Sequence, residues 1–208
     1  MYKIKSLGIL GGTFDPIHNG HLVAAEYARD TCNLDKIIFI PSARPPHKDN
    51  QEVLNSEYRY RMVEMAIRDN PSFMVSDLEL ARTGYSYTVE TIDYYIKRFP
   101  GVDIYFILGV DALLLINTWK DVNRLVGLCK FIVVTRPGYK LDKSQNCFRD
   151  ISAVLWDNIR VLAIPGLDIS SSDIRRRVSR GETIKYLLPA SVEEYIINQR
   201  LYSGEESI

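Results

Sequence analysis

Short apolar runs alternate with longer amphipathic segments along most of the chain. The runs Ile37–Ile40, Ile104–Leu108 and Phe131–Val134 are apolar throughout. A run without polar alternation is typical of a strand that is buried on both faces, as in a parallel sheet. The predicted strands are Ser6–Gly11, Lys36–Pro41, Phe73–Ser76, Ile104–Gly109, Phe131–Thr135 and Arg160–Ile164.

Helical patterns fall between these strands. The predicted helices are Leu22–Cys32, Glu57–Asp69, Thr88–Phe99, about Asp121–Leu128, Ser172–Arg180, and Ser191–Leu201 with Ser191 as its N-cap. Regular alternation of strand and helix predicts an α/β fold, namely a doubly wound, Rossmann-like, mostly parallel sheet with helices on both faces. No repeat or linker interrupts the pattern, so residues 1–208 are expected to form a single domain, with 141–147 as its most mobile loop.

The charge balance argues against a nucleic-acid partner. Lys and Arg number 26 and Asp and Glu number 26, whereas nucleic-acid-binding domains usually carry a basic excess. No apolar stretch approaches the ~18 residues of a membrane span, and no signal pattern is evident. The cysteines fit no metal or disulfide pattern, and Cys32, Cys129 and Cys147 are expected to be buried or half-buried thiols in a reducing compartment. We therefore expect a cytoplasmic protein without nucleic-acid or membrane partners, and homo-oligomerisation stays open.

Five loops of distinctive composition follow predicted strands. The loops are Gly11–Thr13, Pro41–Lys48, Gly109–Asp111, Arg136–Gly138 and Asp168–Arg175. In open α/β sheets, ligands bind beyond the carboxyl ends of the strands. The five loops are therefore expected to converge on one rim, and their convergence predicts a ligand site more strongly than any single loop does.

The first loop leads into two histidines at a predicted helix start. His18 and His21 follow a pair of glycines, with Gly20 between them. Imidazoles three residues apart lie on one side of a helix start, where free backbone N–H groups attract an anion. A nucleotide phosphate is the first hypothesis, with the imidazoles as cations, and simple capping of the turn is the alternative. A metal ion would need a third ligand, and the other histidine, His47, has no acidic residue placed beside it, so no protein metal site is predicted.

A second polar segment begins the helix near residue 172. Ser170 and Asp173 resemble a capping box, and capping alone is one interpretation of this pair. Capping does not explain three consecutive serines, nor Arg175 in the first turn, where a cation opposes the helix dipole. Hydroxyls, free N–H groups and a guanidinium together suit a polyphosphate. Arg176 and Arg177 are expected to be solvated.

These two segments resemble the motifs of the nucleotidylyltransferase superfamily. His18-Asn-Gly-His21 is similar to its His-x-Gly-His signature. Ser171-Ser-Asp-Ile-Arg175 is similar to its Ser/Thr-x-x-Arg motif, with Ser172 where threonine is usual. Most of the chain resembles one family of that superfamily, the bacterial nicotinate-nucleotide adenylyltransferases. The matching segments are Gly11–His18, Pro45–Lys48, Gly84–Thr88, Gly109–Asp111 and Trp119.

The resemblance implies an enzyme of NAD biosynthesis that transfers AMP from ATP to nicotinate mononucleotide, giving deamido-NAD and pyrophosphate. The ATP-binding residues that it implies are Gly11, Gly12, Thr13, Phe14, His18, His21, Ser171, Ser172 and Arg175. The catalytic residues that it implies are His18, His21, Lys48 and Arg175. The residues that it implies for the substrates, chiefly the acceptor nucleotide, are Lys48, Thr88, Gly109, Asp111, Leu115, Trp119 and Arg136.

Some of these implied roles are specific. Asp111 would hold a ribose, Trp119 would stack on the pyridine ring, and Thr88 would meet the nicotinate carboxylate. Leucine at position 115, where the family often has an aromatic residue, leaves only a backbone role there. From the residues alone, Trp119 also fits a core position, and Asp111 also fits a helix cap.

The expected chemistry needs no covalent nucleophile. Two anions must meet while charge builds on the leaving pyrophosphate, so catalysis would consist of positioning and charge stabilisation. A Mg²⁺ ion would arrive with ATP, held mostly by phosphate oxygens and water. Two alternatives stay open: another transferase of the superfamily, such as a pantetheine-phosphate adenylyltransferase or a cytidylyltransferase, and a non-catalytic nucleotide-binding regulator.

Overall fold

Six parallel strands form one sheet in the computed structural model, which describes residues 4–44, 53–82, 84–136, 138–139 and 141–203. The strands are β1 (Ser6–Gly12), β2 (Lys36–Pro41), β3 (Phe73–Val75), β4 (Asp103–Gly109), β5 (Lys130–Thr135) and β6 (Ile159–Ala163). Their order across the sheet is β3-β2-β1-β4-β5-β6, and every neighbouring pair is parallel. The strand order reverses between β1 and β4, which is where ligands bind in such sheets.

The helices connect the strands and cover both faces of the sheet. They are α1 (Asn19–Thr31), α2 (Ser56–Ile67), α3 (Thr88–Arg98), α4 (Val110–Leu114), α5 (Val122–Leu128), α6 (Ala153–Asp157), α7 (Ser171–Ser179) and α8 (Ala190–Asn198). Each predicted strand and helix is present, which confirms the predicted fold class. Within the described ranges, no helix has the length and apolar character that crossing a membrane requires.

Two predictions about local structure differ from the fold. Ser191 is not the N-cap of α8, because the helix begins one residue earlier and Pro189 occupies the cap position. Cys147 is exposed, whereas Cys129 is buried and Cys32 is half-buried. The reason for the exposure is that Cys147 lies in a short 3₁₀ turn, Asn146–Phe148, in which Phe148 is the buried residue.

Alternate residues of the buried strands pack into two separate hydrophobic cores, one on each face of the sheet. Leu10 and Ile107 face the layer that contains residues of α1, α2 and α8. Ile9 and Phe106 face the opposite layer, which contains residues of α3 and α5. The period of two along a strand requires this division.

Candidate active site

A cleft of about 800 Å³ opens at the rim where the strand order reverses. Each of the five loops that the sequence singled out contributes lining residues; the examples are Thr13, Ser42, Asp111, Arg136 and Ile169. The first turn of α1 and the start of α3 also contribute lining residues. The structure therefore brings the five loops together around one cavity, as expected for ligand binding in a doubly wound sheet.

The two histidines of the first motif lie against each other at the start of α1. Their ring centroids are 3.8 Å apart with an interplanar angle of 27°. The Nδ1 atom of His21 accepts a hydrogen bond from the backbone N–H of His18 at 3.2 Å. An imidazole that accepts at Nδ1 carries its proton on Nε2. His21 therefore presents an N–H donor, and the turn is capped by the same contact.

Burial decides the charge of this pair. It lowers the pKa of His18 from 6.5 to about 4. Burial, with the nearby His18 as a smaller cause, also holds the pKa of His21 well below 6.5. Both rings are therefore neutral near pH 7, which differs from the cations that the sequence suggested. The Nδ1 atom of His18 is buried and has no hydrogen-bond partner among the described residues, which is uncommon for a buried polar atom.

Gly20 makes room for this arrangement. A Cβ atom at this position would lie 3.0 Å from Nδ1 of His18 and 3.1 Å from its Cε1. Real Cβ atoms rarely come so close, so a larger residue would require the His18 ring to shift by a few tenths of an ångström. The glycine of the His-x-Gly-His pattern therefore leaves space for the His18 ring, and it also leaves the backbone open to a ligand.

An aromatic platform lies at another part of the cleft. Trp119 is half-buried, lines the cavity and packs edge-on against Phe106, with ring centroids 5.7 Å apart. Thr88, the first residue of α3, and the exposed Asp111, in the first turn of α4, also line it. Trp119 is thus not a core residue alone. Leu115 is 49% exposed and stands outside the lining.

The start of α7 reaches the loop after β1 but does not line the main cleft. Ser170 caps the helix by accepting the backbone N–H of Asp173 at 3.1 Å. Ser171 Oγ donates to the carbonyl of Pro16 at 2.8 Å, and Arg175 Nη1 donates to the carbonyl of Asp15 at 2.7 Å. Ser172 and Arg175 line a neighbouring cavity of about 520 Å³. The two motifs therefore meet through the backbone of one loop.

Other expected site residues have different outcomes. Gly11, Gly12 and Gly109 line the main cleft. Phe14 is buried, and its ring meets the His21 ring edge-on at 5.1 Å, so only its backbone could face a nucleotide. Lys48 lies outside the described residues.

Two cleft residues were missed by sequence reasoning. Glu79 is 7% exposed, accepts a hydrogen bond from Thr91 Oγ1 at 2.7 Å, and has its pKa raised by burial. Thr135 is 3% exposed, and its hydroxyl has no partner within the part of the chain that the structure describes. A polar residue at the carboxyl end of an apolar strand was the available signal for Thr135. Glu79 follows β3 in a segment without any motif, so no signal pointed to it.

A doubly wound parallel sheet with a stacked histidine pair at its switch point defines a nucleotide-binding α/β protein. The model of one family, described as cytidylyltransferase-like, matches residues 9–177 of the chain. That stretch contains both motifs, together with the loops that form the cleft.

Proteins of similar sequence identify a smaller group within this family. A protein of Moorella thermoacetica is 49% identical over 197 residues, which cover 94% of this chain and 91% of the relative. A protein of Thermoanaerobacter sp. is 46% identical over 207 residues, covering 99% and 98%. Both are named "probable nicotinate-nucleotide adenylyltransferase". The chain therefore belongs to the cytidylyltransferase-like family and, within it, to the nicotinate-nucleotide adenylyltransferases, enzymes of NAD biosynthesis.

Solved structures share the fold. Nicotinic acid mononucleotide adenylyltransferase of Plasmodium falciparum, complexed with NaAD, superposes with a TM-score of 0.78 at 22% identity, covering 97% of this chain and 98% of the other. The same enzyme complexed with APC gives a TM-score of 0.77 at 23% identity, with the same coverage. At 22–23% sequence identity, these superpositions show that the fold is shared.

Proposed function

We propose that the cleft catalyses transfer of the AMP part of ATP to the phosphate of nicotinate mononucleotide, releasing deamido-NAD and pyrophosphate, and that the whole chain acts as one catalytic domain. The observation that carries the proposal is that one cavity is lined by both the histidine pair and Trp119. A dinucleotide product needs such a site, with a donor pair for its phosphates and an aromatic platform for a base.

The phosphates of ATP would lie at the start of α1. There Gly11–Thr13, His18 and His21 line the cavity, and the neutral His21 ring carries its proton on Nε2. Neutral imidazoles act as fixed hydrogen-bond donors, and polyphosphate would raise their pKa values towards protonation. Ser171, Ser172 and Arg175 would reach the β- and γ-phosphates from the neighbouring cavity, and Lys48 would approach from the loop after β2.

The acceptor nucleotide would occupy the part of the cleft near α3 and α4. Trp119 would stack on the pyridine ring, because it lines the cavity and is held there by its perpendicular contact with Phe106. Thr88 and the backbone at Leu115 would meet the nicotinate carboxylate. Asp111, two residues after Gly109, would hold a ribose, and Arg136 would supply a positive charge at the rim.

The reaction is an in-line displacement. An oxygen of the nicotinate mononucleotide phosphate forms a bond to the α-phosphorus of ATP, and the bond from that phosphorus to the bridging oxygen of the β-phosphate breaks. The electron pair leaves with pyrophosphate. The residues position the two phosphates and stabilise the developing charge, and no covalent enzyme intermediate is involved.

ATP-dependent nucleotidyl transfer commonly needs a divalent cation. Among the described residues, no group of three His, Cys, Asp or Glu side chains is placed to hold one. We expect Mg²⁺ to arrive with ATP, with phosphate oxygens and water as its main ligands. The chain would contribute donors to the same phosphates.

The test is to incubate the purified chain with ATP and Mg²⁺ and a panel of acceptors: nicotinate mononucleotide, nicotinamide mononucleotide, pantetheine phosphate, and none. Pyrophosphate release and the nucleotide product are both measured. Deamido-NAD and pyrophosphate in equal amounts, formed only with nicotinate mononucleotide, would support the proposal. Turnover only with another acceptor would support a different transferase, and no turnover with any acceptor would support a non-catalytic nucleotide binder.

A further inference from the structure

The loop between β1 and α1, residues 13–18, is held in place by donors from other parts of the chain. Three of its carbonyl oxygens accept side-chain hydrogen bonds. The pairs are Arg59 Nη1 to Thr13 at 2.6 Å, Arg175 Nη1 to Asp15 at 2.7 Å, and Ser171 Oγ to Pro16 at 2.8 Å. Because this loop ends in His18, these donors fix the backbone on which the histidine pair is built.

Asp15 belongs to this loop, and it is buried, with only 4% of the residue exposed. Its Oδ1 accepts a hydrogen bond from the hydroxyl of Tyr202 at 2.6 Å, and its Oδ2 accepts the backbone N–H of Leu54 at 3.4 Å. A buried carboxylate without donors is costly. Tyr202 makes the shorter of these two contacts and comes from the C-terminal turn.

Arg175 has two acceptors within reach on the same residue. Its Nη1 bonds the backbone carbonyl of Asp15 at 2.7 Å and lies 3.9 Å from the Oδ2 atom of the carboxylate. The guanidinium would move towards the carboxylate if that group lost a donor, because a charged acceptor binds it more strongly than a carbonyl does. Tyr202 and Arg175 therefore approach the same carboxylate from its two oxygens, Oδ1 and Oδ2 respectively.

We propose that Tyr202 is a positioning residue for ATP. By donating to the Asp15 carboxylate, its hydroxyl keeps the Nη1 atom of Arg175 on the carbonyl of Asp15, so that the rest of the guanidinium can meet the phosphates. This inference rests on the proposed ATP-binding role of Arg175. Tyr202 lies beyond residue 177, where the family match ends. Burial, with Asp15 as a second cause, raises the pKa of Tyr202 far above its usual value, so the hydroxyl stays a donor at any pH of interest.

The first test is Tyr202→Phe, which removes one oxygen. The dissociation constant of ATP with Mg²⁺ is measured by calorimetry without acceptor, and KM for nicotinate mononucleotide is measured by pyrophosphate release. ATP binding should weaken about tenfold, the size expected for one hydrogen bond to a charged group. KM for the acceptor should stay within twofold. Tyr186→Phe is the matched control, since that side chain is 81% exposed, and it should change neither constant.

A second variant separates positioning from a general loss of structure. Asp15→Asn keeps an oxygen to accept from Tyr202 but has no charge to attract Arg175. Adding Tyr202→Phe to Asp15→Asn should therefore leave ATP affinity within twofold of Asp15→Asn alone. The double variant leaves no buried charge without its donor, so it can fold even where Tyr202→Phe alone does not.

Three results would overturn the inference: unchanged ATP affinity in Tyr202→Phe, equal losses for both substrates, or a tenfold loss that persists in the Asp15→Asn background. These results are distinct from failure of the proposed function. In that case the parent chain itself would make no deamido-NAD, whereas the test of Tyr202 begins from an active parent.

Discussion

The backbone N–H of His18 donates to Nδ1 of His21 at 3.2 Å, so one histidine caps the turn that carries the other. This contact fixes the proton of the neutral His21 ring on Nε2, on the side of the ring that does not face the backbone N–H of His18. The motif thus links helix initiation to the presentation of an N–H donor in the cleft, and the two functions can be separated by substitution.

Replacement of His21 by Asn should lower kcat about 100-fold, the usual effect of removing one donor to a developing charge. The Asn side chain offers an oxygen that can still accept from His18, so the turn should survive. Steady-state pyrophosphate release and the unfolding midpoint are the measurements.

His21→Ala is the matched variant, because it removes the donor and the cap together. It should lose a similar factor in kcat and, in addition, about 1 kcal/mol of stability. Turnover of His21→Asn within threefold of the parent would show that His21 is not a catalytic donor.

The stability of the protein should fall as the pH drops below 6.5. His18 has a pKa of about 4 in the folded chain, below its ordinary 6.5, so between these values the unfolded chain binds a proton that the folded chain does not. The free energy of unfolding then decreases by about 1.4 kcal/mol per pH unit from this group, roughly 3 kcal/mol in all. The contribution is complete above pH 6.5 and is lost towards pH 4.

Urea unfolding at pH 6.5 and pH 5 measures this effect, and His18→Asn is the control. The parent should lose about 2 kcal/mol more than His18→Asn across that interval. The variant removes one titrating group and leaves the carboxylates, so parallel profiles for the two proteins would show that the His18 ring is not held neutral by burial.

Gly20→Ala should reduce activity without reducing stability. The added methyl would meet His18 Nδ1 at 3.0 Å and displace the ring, which should lower kcat about tenfold. Alanine in a helical turn is favoured over glycine by about 1 kcal/mol, which should offset the local strain. The measurements are kcat and the unfolding midpoint.

Gly127→Ala is the control for that substitution. Gly127 lies in α5, and a Cβ atom there would have nothing within 4 Å. This variant should gain stability and keep full activity. If Gly20→Ala also kept full activity, the position of the His18 ring would not matter for catalysis.

Trp119→Ala should raise KM for nicotinate mononucleotide about tenfold, because a ring that stacks on the pyridine would be lost. KM for ATP should stay within twofold. The chain has two tryptophans, and the other, Trp156, packs against Phe148 with ring centroids 5.8 Å apart.

Fluorescence gives an independent check of the same contact. In Trp156→Phe, nicotinate mononucleotide should quench the remaining emission, whereas in Trp119→Phe it should not. Quenching in the second variant but not the first would place the pyridine ring elsewhere.

Sequence patterns predicted the strands of the sheet well, because an apolar run such as Ile37–Ile40 indicates a strand that is buried on both faces. The five-residue helices Val110–Leu114 and Ala153–Asp157 were missed, since they are too short to show helical periodicity. The charge of His18 could not be predicted either, because it depends on burial by segments distant in sequence. The contacts of Arg175 with Asp15, and of Asp15 with Tyr202, join positions 160 and 187 residues apart, and no local pattern encodes them.

The central claim is that one cleft holds both nucleotides with their phosphates at the histidine pair. A crystal structure of the parent chain with deamido-NAD bound tests it most directly. The account predicts the pyridine ring stacked on Trp119 and the diphosphate within hydrogen-bond distance of His18 and His21. A product bound with its diphosphate away from both histidines would contradict it.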